Sequence, residues 1–168
     1  MDNHLHEFTR ISIFRMCEHY LLKLKLTLDG VDKEVLWKHE KESLNSIGGI
    51  VLHVGQHIQR HIIRYSNGGK VEGGIENHFP DETVLSSSDL IQFITDRFNS
   101  WREIMSDYLV GNKDLENLDM FDIYHLVEHT GYHLGQIIDR VQRLTDRRFQ
   151  FVQNGINERS LKELIYRD

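Results

Sequence analysis

Only one proline, Pro80, stands in 168 residues, and the glycines gather in a few places. A proline inside a helix removes a hydrogen bond and collides with the preceding turn, so its rarity leaves long stretches free to keep a helical period. From about Phe8 to Leu28, Ile11, Phe14, Leu21, Leu22, Leu24 and Leu28 recur mostly at three- and four-residue spacings, and Asp29-Gly30 ends the run. A second stretch, about Ser43 to Tyr65, places Ile47, Ile50, Val51, Val54, Ile58 and Ile62 on one face. Ser43 or Asn45 is its expected cap and Ser66-Asn67-Gly68-Gly69 its stop. A third, about Ser88 to Leu109, is entered through Ser86-Ser87-Ser88-Asp89 and built on Leu90, Ile91, Ile94, Phe98, Trp101, Ile104 and Met105.

The fourth stretch runs from about Asp119, its expected N-cap, to Asp146, with Asp122 in the first turn favouring the positive helix end. Its apolar face comprises Ile123, Leu126, Val127, Thr130, Leu134, Ile137, Ile138, Val141 and Leu144. Ser160-Leu161-Lys162-Glu163 has capping-box spacing and predicts a short helix over Ser160 to Arg167. Four long amphipathic helices without β-alternation predict an all-α four-helix bundle, one domain over residues 1–168. The link from Ser66 to Ser87 is longer than a compact bundle needs, and its two Gly-Gly pairs predict a mobile crossover between helices two and three.

Cys17 is the only cysteine, so an intrachain disulfide and a Cys-rich structural zinc site are both excluded. It reads as a small buried hydrophobe. No apolar run approaches the roughly 20 residues of a membrane-spanning helix. The start, MDNHLHEFTR, has no basic region followed by an apolar one, so a cytoplasmic protein without a leader or membrane partner is expected. Net charge is −6 with the signs interspersed. The one dense basic cluster, Arg140, Arg143, Arg147 and Arg148, lies near a predicted helix end, where cations complement the dipole, so no nucleic-acid partner is expected.

Among eleven histidines, two triplets stand out: His53, His57 and His61 on helix two, then His125, His129 and His133 on helix four. Each runs at i, i+4, i+8, and neutral imidazole is the commonest protein metal ligand. Residues i and i+4 lie about 6 Å apart along the axis and can share an ion, whereas i and i+8 lie about 12 Å apart and cannot. On helix four, His133 lies about 80° from the apolar centre, His129 about 120° and His125 about 160°. The chelating pair is therefore His129 and His133. The same arithmetic on helix two puts His61 at about 40°, His57 at about 80° and His53 at about 120°, which favours His57 or His61 without deciding between them.

Two common site types are absent. No Glu-x-x-His occurs, so a di-iron carboxylate bundle is excluded. Thr130 stands where a His-Glu-x-x-His protease would need its glutamate. A nitrogen-rich mononuclear site remains. His4, His6, His19, His39 and His78 read as surface or structural residues; Gln136 can hydrogen-bond near the site or pack, and packing is the preferred reading. Gly48, Gly49, Gly131 and Gly135 are expected to permit close helix approach.

At His129-Thr-Gly-Tyr-His133-Leu-Gly-Gln136 the chain resembles the DinB-like (damage-inducible) metalloprotein superfamily, and Asn45-Ser-Ile-Gly-Gly-Ile-Val-Leu-His53-Val-Gly resembles its first-ligand segment. The resemblance covers helix one through helix four. It implies an up-up-down-down bundle binding one divalent ion, zinc or nickel, through His53, His129 and His133. It thus overrides the face arithmetic on helix two and leaves His57 open between a residue lying near the ligands or facing substrate, a plain packing residue and a fourth ligand. Three histidines leave an open position, as catalytic metals have. Characterised members of that superfamily include thiol S-transferases using bacillithiol or mycothiol, and a thiol-dependent isomerase. The resemblance therefore implies a metal-dependent enzyme that activates a low-molecular-weight thiol or water against a small-molecule substrate, and a homodimer. The competing expectation is a non-catalytic metal- or small-ligand-binding bundle in a stress response.

Overall fold

The computed structural model describes residues 3–66, 71 and 73–167, which form helices and their connections with no strand among them. The first column begins as α1, Asn3–Phe14, passes through a π-helical segment, Arg15–Tyr20, and continues as α2, Leu21–Leu28. It ends where Asp29-Gly30 predicts, with Gly30 in the left-handed region at φ 64°. The π turn carries no proline or glycine to signal it. A single turn, α3, Lys33–Leu36, interrupts the first link. Next to it, Trp37 packs over Gly48, where a Cβ would stand 2.5 Å from the indole.

Helix α4 spans Ile47–Ser66. Neither Ser43 nor Asn45 caps it; the Ser46 hydroxyl accepts the Gly49 N–H at 3.0 Å. The expected stop at Asn67-Gly68-Gly69 lies outside the described residues. Helix α5, Ser87–Leu109, opens with a reciprocal capping box between Ser86 and Asp89. Helix α6, Met120–Thr145, is capped by Asp119, which accepts the Phe121 N–H, and closes on left-handed Asp146 at φ 54°. Helix α7, Glu158–Ile165, starts before the expected Ser160; its cap is Asn157, whose side chain accepts the Ser160 N–H.

Cross-links fix the direction of each column. Ser87, at the start of α5, donates to the Leu28 carbonyl, and Arg102 pairs with Glu18 at 2.5 Å, so α5 runs against the first column. Phe93 of α5 sits on Gly55 of α4, and the Tyr108 hydroxyl donates to the Tyr65 carbonyl, so α4 and α5 are parallel. Arg64, late in α4, pairs with Asp122, early in α6, so those two are antiparallel. The order is therefore up-down-down-up, a correction to the up-up-down-down arrangement the resemblance implies. The first column and α4 each pack on both α5 and α6, around a core that includes Met16, Leu24, Ile50, Ile58, Phe98 and Trp101. Cys17 is part of that core, as its reading anticipated.

Parallel neighbours cannot be joined by a tight turn. The connection from α4 to α5 has to travel back along a helix of about 30 Å, which accounts for the twenty residues between Ser66 and Ser87. Its described part climbs α4 in order: Arg60 donates to the Gly73 carbonyl, Gln56 to the Asn77 carbonyl, and Ser46 to the Asp81 carboxylate. At the other face, Arg147 donates to the carbonyls of Asp29 and Leu26 and Arg143 pairs with Asp139 and Glu40. Part of the basic cluster thus clamps the carbonyl end of α2 as well as completing α6. No described helix is long and apolar enough to cross a membrane.

Candidate metal centre

Because α4 and α6 are antiparallel, the early half of α4 faces the later half of α6 and the two histidine stripes meet. The Nε2 atoms of His53 and His129 lie 3.1 Å apart. One ligand nitrogen from each of His53, His129 and His133 falls within 4.8 Å of the others. Nitrogens bound about 2.0–2.1 Å from a tetrahedral ion stand roughly 3.3 Å from one another, so the His53–His129 spacing already suits a shared ion. Two lone pairs converging at that distance repel unless a proton or cation lies between them. One N–H···N hydrogen bond meets that 3.1 Å contact equally well, and the three convergent imidazoles are a donor set that fits a divalent ion.

His133 is oriented for the same task. Its Nδ1 lies 2.8 Å from the Gln136 amide oxygen, which can only accept, so the proton resides on Nδ1 and the Nε2 lone pair stays available. The Gln136 amide nitrogen donates in turn to the Tyr132 hydroxyl at 3.0 Å. Gln136 is thus more than the packing residue its sequence context suggests, and its position three residues beyond a ligand histidine was the available signal. Burial, deepened by neighbouring imidazoles, pushes His53 down to about 4 and His129 down to about 3. Burial also lowers His133, against the raising effect of its bond to Gln136. All three are neutral at pH 7, the state that ligates.

The other members of the stripes differ. His57 is half-buried and also pushed down to about 4 by burial and surrounding imidazoles. Its ring stacks on His129 at 4.0 Å and 30°. Lone pairs lie in the ring planes, so stacked rings present them side by side rather than at one point. His61 is buried lower on α4 beside Tyr65, and His125 is exposed. Neither belongs to a nitrogen group among the described residues.

Face arithmetic on α4 favours His57 or His61, yet the structure buries His53 to 5 % exposure. The cause is outside the helix. Phe79 of the crossover stacks on the His53 ring at 4.3 Å and meets His133 at 6.1 Å. Gly49 makes room for this segment, since a Cβ there would stand 3.3 Å from the Pro80 carbonyl oxygen. Gly131, between the two α6 ligand candidates, lets Tyr20 approach: a Cβ would lie 2.8 Å from its hydroxyl. Gly135 faces open space, contrary to its expected packing role. His78, read as a surface residue, is exposed but groups with His53 and His57, one nitrogen of each within 4.8 Å.

Comparisons with protein-family models, with curated proteins and with solved structures return no match.

Proposed function

We propose that this chain is a cytoplasmic metal-dependent thiol transferase of the DinB-like type, with His53, His129 and His133 holding one zinc or nickel ion. The observation that carries the reading is the convergence of three imidazole nitrogens from two antiparallel helices. Three protein ligands leave room for an exogenous one, and imidazole suits either metal. When bound, the ion would supply Lewis acidity that lowers the pKa of a low-molecular-weight thiol and favours its nucleophilic form at neutral pH.

The chain's own residues prepare that chemistry. Gln136 holds the proton on His133 Nδ1 and so aims Nε2 inward. Phe79 lies over His53 and His133 on the crossover side. His57 packs against the trio, its ring stacked on that of His129 at 4.0 Å.

Protein loaded with zinc or nickel, given bacillithiol or mycothiol and a panel of small electrophiles, is expected to turn over, and the activity to vanish on chelation. No turnover across the panel in fully loaded protein would favour the second reading, a non-catalytic metal- or small-ligand-binding bundle. What favours that reading is the second nitrogen group, in which His57 and His78 join His53. The resemblance also implies a homodimer, which sedimentation of the purified chain tests.

A further inference from the structure

Two groups of histidine nitrogens overlap at His53: the inner trio with His129 and His133, and an outer trio with His57 and His78. In the outer group the His57 ring lies 4.6 Å and the His78 ring 5.7 Å from that of His53. Their accessibility differs. In the inner trio His53 and His133 are buried beneath Phe79 and His129 is half-buried, whereas in the outer trio His57 is half-buried and His78, the residue before Phe79, is exposed. A neutral imidazole has one lone-pair nitrogen, so His53 serves one trio at a time.

We propose that His57 and His78 form, with His53, a loading site that captures a divalent ion from solvent and delivers it to the inner trio. This rests on the ion site proposed above and adds a route into it. The transfer requires no carrier, because His53 is common to both trios and exchanges two outer partners for two inner ones. The crossover reaches this position because α4 and α5 are parallel, and its bonds from Gln56 to Asn77 and from Ser46 to Asp81 hold His78 beside His53.

Cobalt(II) is a suitable probe, since its visible absorption reports the ligand set. Metal-stripped wild-type protein, His78→Gln and His57→Gln are each mixed rapidly with cobalt(II) alone, following the rate of band growth, the final spectrum and the bound stoichiometry. Both variants are expected to end with one ion and the wild-type spectrum but to load measurably more slowly than wild type. Wild-type loading rates in both variants would overturn the proposal. So would two ions bound per wild-type chain, because the trios would then fill together. An altered final spectrum in His78→Gln would make His78 a permanent ligand and equally sink the idea. No cobalt uptake by wild type would remove the inner site itself, a different failure from unchanged kinetics.

Discussion

Single side chains at the centre act through lone pairs and protons, and their substitutions separate those roles. Gln136→Leu deletes the acceptor that fixes His133. Metal affinity is expected to fall by about 10–100-fold, the usual cost of losing such an orienting partner, with little change in melting temperature because Gln136 is only half-buried. Unchanged affinity would show that His133 needs no orientation. His61 supplies a pH test away from the ligands. Burial, opposed by Asp122 and aided by Arg64, holds it at about 4, and its Nδ1 lacks a hydrogen bond. Between its unfolded pKa of about 6.5 and this lower folded value, only the unfolded chain takes up the proton, so stability falls as pH drops through that window and levels below it. The metal-free protein is expected to melt lower at about pH 5 than at about pH 7.5, and His61→Leu to narrow that difference. An equal gap in wild type and variant would contradict it. At this scale the sequence was legible where a helix decides alone: His129 and His133 share a flank and meet, and His125 is exposed. It was not legible at His53, whose burial comes from Phe79 in another segment, so only the family resemblance pointed to it.

Elements are positioned by glycines whose roles differ in kind. Gly48→Ala drives a methyl into the Trp37 indole, which is itself anchored by a 2.9 Å bond from its Nε1 to the Leu85 carbonyl. Overpacking of this sort is expected to cost about 1–3 kcal/mol. Gly135→Ala meets nothing and relieves a mid-helix glycine, so it is expected to stabilise by about 0.5–1 kcal/mol. Denaturant unfolding of the two variants checks both signs, and matching signs would contradict the packing described. Ser46→Ala removes both the α4 cap and the bond to Asp81. It is expected to destabilise by about 1 kcal/mol or more in the same measurement. The long helices could be read from apolar spacing because each buries one face against the same core. The starts of α5 and α6 could be read as well, at Ser86–Asp89 and at Asp119, but those of α4 and α7 could not, since several serines and asparagines before them are chemically equivalent caps and tertiary contacts choose among them. The π turn at Arg15–Tyr20 and the short α3 likewise have no local signal.

At the scale of the whole molecule, chain direction links the fold to the site. Parallel α4 and α5 require a long return segment, and that segment lays His78 and Phe79 over histidines contributed by antiparallel α4 and α6. The length of the crossover was visible in the sequence, but its path was not, because direction is set by contacts such as Arg64 with Asp122 and Ser87 with Leu28. The central claim is that His53, His129 and His133 together bind one ion. Metal analysis after equilibration with zinc, comparing wild type with the His129→Ala, His133→Ala pair, tests it most directly. One zinc per wild-type chain and none retained by the paired variant is the predicted result; the same zinc content in both proteins would contradict it.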